Sequence, residues 1–376
     1  MSDLLDRQFL AAHASGDGWA AVAKACADQL GTLPPAANLG FLYVTDALAG
    51  DLASILTFLR ERTRIADWVG TVGLGVASPG REYFDVPAAA VLVAALPHDS
   101  LRLFSPDEAS ARQLGAATDR WFTRVRPMLG IVHGDPRAPD IAARIGSLSR
   151  EASLFLVGGL AASAAAPLQI AGRVVEGGLS GVLLAPDIPV ISGLTQGCSP
   201  IGPVRRVTEA RDNILMAIDD RPALEVFKED IGELLSRDLK RVAGLIFAGF
   251  PVAGSDTGDY LVRNLVAIDL PRQWLAVAHA VAPGDAVLFC RRDPVSAAAD
   301  LQRMLDQLKR RAQGVPRAGL YFSCVARGPN LFGEPSQELT MIRDTLGDFP
   351  LAGFFGNGEI AHDRLYGYTG VLALFL

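Results

Sequence analysis

Apolar residues in this chain fall into short uninterrupted runs bounded by glycine, proline and aspartate, alternating with stretches in which leucine, isoleucine and alanine recur at three- and four-residue spacing. The first pattern predicts buried strands and the second amphipathic helices. Gly40-Phe41-Leu42-Tyr43-Val44-Thr45 is such a run, followed by a helical stretch to about Arg64 with Leu52, Ile55, Leu56, Phe58 and Leu59 on one face. Strands are then expected around Trp68-Val69-Gly70 and over Ala88 to Leu96. At the amino end, Leu5, Phe9, Ala12, Trp19, Val22, Ala23, Cys26 and Leu30, broken by Gly16-Asp17-Gly18, predict two short helices across Asp3 to Leu30.

The order of elements recurs. Gly130-Ile131-Val132, a helix over Ile141 to Arg150, Leu154 to Gly159 and Gly181 to Ala185 repeat the first arrangement, as do Gly319 to Phe322, a helix over Gln337 to Leu346, Pro350 to Gly353 and Gly370 to Leu374. Three strand–helix–strand–strand units follow, with glycines where backbones can approach closely. Between the second and third lie a helix from about Pro222 to Lys240, strands at Leu245 to Phe250, Tyr260 to Ile268 and Ala286 to Arg291, a helix over Ala297 to Arg311, and a turn at Gly254 to Asp259. The expected class is α+β, with mixed sheets flanked by helices and built from repeated β-α-β-β units. The junction Asp219-Asp220-Arg221-Pro222 suggests domains over 1–219 and 220–376.

At 376 residues the chain exceeds the size of a typical single core, which favours two domains. Half its residues are hydrophobic and its net charge is −6, so it has no basic footprint for nucleic acid or an anionic membrane. The longest apolar runs, Val242 to Ala253 and Tyr366 to Leu376, are shorter than the ~20 residues of a membrane helix. The start lacks a signal-peptide pattern, and Cys26, Cys198, Cys290 and Cys324 are dispersed, which points to a cytoplasmic protein.

Gly70-Thr71-Val72-Gly73-Leu74-Gly75 looks like a dinucleotide loop but leads into another strand, not a helix, so nucleotide binding is not expected. Together with Gln196-Gly197-Cys198-Ser199-Pro200-Ile201-Gly202-Pro203, Val207 to Asn213, Tyr260 to Asn264, Ser323 to Gly328 and Gly353 to Ile360, it resembles the FIST family (F-box and intracellular signal transduction). The resemblance implies FIST N-like and FIST C-like domains and non-catalytic sensing of a small ligand such as an amino acid. With no kinase, cyclase or methyl-accepting segment in the sequence, output through a separate signalling partner is expected.

Arg327 and Glu359 suit the carboxylate and ammonium of an amino acid, or a structural ion pair. Gln196, Cys198, Arg263, Asn264, Cys324 and Asn357 complete the candidate ligand-binding set. Cys198 in its Gly- and Pro-rich surroundings reads as a rigid turn or ligand contact, with a thiol-dependent enzyme as the alternative. The five histidines show no metal spacing and no resident cofactor is expected; a haem-based gas sensor using His133 or His362 is the other alternative.

Overall fold

Two strands joined by a helix can lie side by side only if the helix crosses back over the sheet, which makes the pair parallel. The computed structural model, which describes residues 8–109, 120–236, 239–242, 244–252, 254, 258–333 and 336–376, contains three such pairs. They are Leu39–Thr45 with Asp67–Gly73, Leu129–Gly134 with Phe155–Leu160, and Ala318–Cys324 with Leu351–Gly356. In each repeat a third strand returns antiparallel to the first: Ala88–Ala94, Leu179–Leu184 and Thr369–Phe375. The chain divides into two compact units, Met1–Thr195 with Leu301–Leu376, and Gln196–Asp300, and the three repeats make up the first.

Register makes the repeats superimposable. Gly70, Gly158 and Gly353 stand at one position of the second strand, opposite Leu42, Val132 and Tyr321. A Cβ at any of the three would lie 1.8 Å from the carbonyl oxygen of that opposite residue. Nothing larger than hydrogen fits there, so the glycines set the spacing of the parallel pairs.

Between its second and third strands each repeat carries a hairpin, and each hairpin pairs with a different repeat's sheet. Gly75–Ser78 of the first repeat pairs with Leu351–Gly356 of the third, Gln169–Ala171 of the second with Asp67–Gly73 of the first, and Glu359–His362 of the third with Phe155–Leu160 of the second. Matched backbone hydrogen bonds mark each crossing: Leu74 N–H to Phe355 O at 3.1 Å, Ala162 to Val72 at 3.0 Å, and Asn357 to Leu160 at 3.1 Å. The exchange is cyclic, and the repeats are mutually dependent.

The three sheets turn one face toward a shared apolar centre, where Phe41, Tyr43, Ile131, Leu320, Phe322 and Phe354 are buried. Burying each such side chain contributes about 1.5–3 kcal/mol. The other faces carry helices: Trp19–Leu30 and Leu52–Thr63 on the first repeat, Ile141–Ala152 on the second, and Gln337–Leu346 with Leu301 to Leu308 of Pro294–Ala312 on the third. Equivalent positions Tyr43, His133 and Phe322 meet edge-on, with ring centroids 5.5–6.3 Å apart. Tyr43 Oη and His133 Nε2 are hydrogen-bonded at 3.2 Å, which satisfies the phenol inside an apolar centre.

The second unit is a closed antiparallel barrel of strands Arg205–Arg211, Ile214–Ile218, Trp274–Val277, Tyr260–Asp269, Ile246–Pro251 and Ala286–Arg292, the last pairing back to the first. Phe227, on the helix Ala223–Ile231, packs against Phe289 at 4.8 Å.

Two expectations are corrected. Residues Phe9–Ser15 form a strand, not a helix, because Phe9, Ala12 and Ala14 are buried as it pairs along Ala88–Ala94; Leu5 lies outside the described residues. The helix expected over Pro222 to Lys240 ends at Ile231, where Gly232 adopts a positive φ of 80°. Of the expected turn at Gly254 to Asp259, residues 255–257 lie outside the described residues.

Because the obstacle is backbone, Gly158→Ala and Gly353→Ala each should lower stability by at least about 3 kcal/mol, or abolish soluble folding. Gly50→Ala, where a Cβ meets nothing within 4 Å, should change it by less than about 1 kcal/mol. Urea unfolding followed by circular dichroism measures both.

Candidate functional site

The helix Gln337–Leu346 buries Leu339, Ile342 and Leu346, and Glu338 lies one turn before Ile342, so its carboxylate is carried under the helix rather than into solvent. A buried carboxylate requires donors, and the end of the strand Ala318–Cys324 supplies them. Tyr321 Oη donates at 2.7 Å and Arg327 Nε at 2.8 Å to Oε1; Ser323 Oγ at 3.3 Å and Gly328 N–H at 3.0 Å donate to Oε2. Gly328 reaches it with φ 52° and ψ −139°, a backbone state that side chains rarely tolerate.

Arg327 and Glu338 are 1% and 0% exposed, and Arg327 Nη2 lies 2.7 Å from Glu338 Oε1. That approach is an ion pair off hydrogen-bond alignment; neither Nη1 nor Nη2 has a hydrogen-bond partner among the described residues. Burial, the largest single influence, lowers the guanidinium pKa, but Glu338, followed by Tyr321 and Glu359, raises it overall. Arg327 therefore pairs with Glu338, a residue not singled out in the sequence.

Glu359 is also buried. Its Oε2 accepts Thr369 Oγ1 at 2.7 Å and Thr369 N–H at 3.1 Å, while Oε1 has no partner among the described residues. Burial is the dominant influence on its carboxyl, pushed up to about 8 despite the Thr369 bonds and the Arg327 charge. Cys324, at the inner end of its strand, is pushed up to about 12 by burial and then by the Glu359 charge. The Asn357 side chain is exposed, and its backbone N–H is one of the three crossing bonds.

A further carboxyl arrives on the hairpin of the first repeat. Glu82 Oε1 accepts the Ser336 N–H at 2.6 Å, and the Glu82 N–H donates to Ser336 Oγ at 3.0 Å. Burial foremost, then the charge of Glu338, push its carboxyl up to about 7 against the Ser336 bond, and Oε2 lacks a partner among the described residues.

The other four candidates belong to the barrel unit. The Gln196 N–H donates to Asp300 Oδ2 at 2.7 Å and Gln196 Nε2 donates to Tyr260 O at 3.2 Å; Tyr260 Oη donates to Cys198 O at 2.6 Å. Cys198 is buried. Arg263 is half-buried with Nη1 donating to Val262 O at 2.9 Å, and Asn264 is exposed on the same strand. Of the two histidines named as haem ligands, His133 is fully enclosed, its pKa lowered to about 3 by burial, and His362 is exposed with its ring 5.3 Å from that of Phe155.

Residues 38–221 match the FIST N domain and residues 223–362 the FIST C domain. The chain belongs to the FIST family. FIST domains are associated with sensing in signal transduction. The chain is 35% identical over 214 residues to "Uncharacterized protein Rv0628c" of Mycobacterium tuberculosis, covering 54% of this chain and 55% of that protein. It is 30% identical over 211 residues to "Uncharacterized protein Mb0898c" of Mycobacterium bovis, covering 54% of each. The chain thus spans about half the length of the curated relatives it matches. The FIST N match holds the first two repeats and the first two barrel strands, while the FIST C match holds the remaining barrel strands.

Glu338→Gln leaves a buried guanidinium without its counter-charge and should destabilise by about 3–5 kcal/mol in urea unfolding, whereas the double change Arg327→Met with Glu338→Met should recover most of that loss. The folded carboxyls of Glu82 and Glu359 sit above their ordinary 4.5, near 7 and 8. Protonation therefore favours the folded state: their contribution is complete below about pH 4.5 and is lost as pH rises through 7 and 8. Stability measured from pH 5 to 9 should carry a downward component that Glu359→Gln and Glu82→Gln flatten.

Proposed function

We propose that this FIST protein is a non-catalytic sensor of a small polar metabolite, an amino acid, acting in the cytoplasm through a separate signalling partner. The supporting observation is a pair of unsatisfied poles in the third repeat: Nη1 of Arg327, whose Nη2 is ion-paired with Glu338, and Oε1 of Glu359. A buried polar group left without a partner costs about 1–3 kcal/mol, so a ligand that satisfies it binds with that advantage. In this reading the ligand carboxylate meets Arg327 and its ammonium meets Glu359. Cys324 and Asn357 are further proposed contacts in the same unit, and Gln196, Cys198, Arg263 and Asn264 of the barrel unit are not part of this pair of poles.

Both poles are buried, so a ligand reaches them only through a state in which the structure around them has opened. Binding then stabilises that minor state, and the shift in population is the signal. A protonated Glu359 must ionise to receive an ammonium group, so binding releases a proton.

Titration calorimetry against a panel of amino acids tests this. At least one amino acid should bind at pH 7 with an enthalpy that depends on the buffer's ionisation enthalpy, and Glu359→Gln and Arg327→Lys should each weaken it at least tenfold. Unchanged affinity in both variants would sink the assignment.

A further inference from the structure

The barrel unit holds two buried thiols on adjoining strands. Cys198–Pro200 pairs antiparallel with Ala286–Arg292, placing Cys198 opposite Arg292 and Pro200 opposite Cys290. Cys198 and Cys290 are therefore diagonal neighbours, two residues apart in register and on one face of the pair. They are 5% and 0% exposed. The Cys198 sulfur is the foremost cause of the upward shift of the Cys290 thiol, ahead of burial, and both sulfurs act on the Tyr260 hydroxyl. Cys290 Sγ also lies 3.7 Å from Phe247 O. A second, independent feature sits beside them: Gln196, two residues before Cys198 and bonded to Tyr260, is 7% exposed and its Oε1 has no partner among the described residues.

We propose that Cys198 and Cys290 form a two-thiolate site for a single copper(I) ion. No group of three or more His, Cys, Asp or Glu placed to hold a metal occurs among the described residues, so a site here has two sulfur ligands. Zinc wants four ligands in a tetrahedron and would be two short. Thiolates select copper(I), a soft d10 ion that is stable with two ligands in a line. A disulfide fits the geometry less well: diagonal partners have Cα atoms about 7–8 Å apart, whereas a disulfide takes about 4.4–6.8 Å. A metal between the sulfurs spans roughly two metal–sulfur bonds of about 2.3 Å and needs no such approach. The step balances without redox change: both S–H bonds break, two S–Cu bonds form, two protons leave, and the bound unit carries one negative charge. Cys198 lies on a short strand of three residues, Cys198–Pro200, whose last residue is exposed. The sulfur pair belongs to the barrel unit, so this site is independent of the Arg327–Glu359 reading.

The test uses the full-length, fully reduced chain under anaerobic conditions, titrated with copper(I) against bicinchoninate as a coloured competitor. One equivalent should be withheld from the competitor with release of two protons per ion. Cys198→Ser and Cys290→Ala should each weaken binding at least 100-fold while retaining the far-ultraviolet circular dichroism of the parent, and Cys26→Ser should bind as the parent does. Equimolar zinc(II) should not compete. No withheld copper, or uptake that survives either cysteine change, overturns the proposal. Copper-edge X-ray absorption of the unmutated protein decides the matter even if a variant fails to fold: two sulfur neighbours support it, and nitrogen neighbours or three sulfurs overturn it. Formation of a Cys198–Cys290 disulfide with glutathione disulfide, in a protein that withholds no copper, would overturn it in favour of a redox role.

Discussion

The approach of two backbones at Gly70, Gly158 and Gly353 is the constraint on which the repeat unit rests. Each glycine lets a parallel neighbour's carbonyl occupy the space that a side chain would take. With that spacing set, the residues beside the glycines face the common centre at matching heights, and Tyr43, His133 and Phe322 can meet as one aromatic layer. The equivalence is not complete. Where the first repeat has Thr71 and the second Gly159, the third has Phe354, whose ring stacks on Tyr43 at 5.2 Å and lies 3.1 Å from where a Gly159 Cβ would be. One large ring thus fills space left by a missing one, which preserves close packing without strict symmetry.

The same framework accounts for the polar network in the third repeat. Ser323 occupies the position that is Val44 in the first repeat and Gly134 in the second, both without a hydroxyl. The third repeat replaces them with Tyr321, Ser323 and Gly328 converging on Glu338. A buried charge held by several donors specifies one arrangement of loop and helix more strictly than apolar contact does. It also puts ionisable groups in a low-dielectric setting where small displacements change their protonation.

Much of the fold could be read from the chain because its signals are local. Turn-bounded apolar runs and the three-and-four spacing of Ile141 to Arg150 and Gln337 to Leu346 located most of the repeated strands and helices. What escaped was non-local. Phe9–Ser15 has apolar residues that fit either period, and only its pairing with Ala88–Ala94 makes it a strand. Hairpin exchange leaves no mark in sequence, since Gly75–Ser78 reads the same whichever sheet receives it. Arg327 and Glu359 stood out as isolated charges among apolar neighbours, yet the partner of Arg327 was a carboxylate in the apolar register of a helix, four residues before Ile342. That register was the available clue: a charge on the buried face of a helix implies a counter-charge beneath it.

The cyclic exchange also bears on how such a chain can be made on a ribosome. The hairpin Gly75–Ser78 is synthesised early, but its sheet is completed only when Leu351–Gly356 emerges. Likewise the second repeat waits for Glu359–His362. An emerging chain therefore presents unpaired strand edges throughout translation, the surfaces most prone to wrong association. For this topology residues 351–362 complete sheets begun some two hundred or more residues earlier, so losing them should be more damaging than the loss of a single edge strand would suggest.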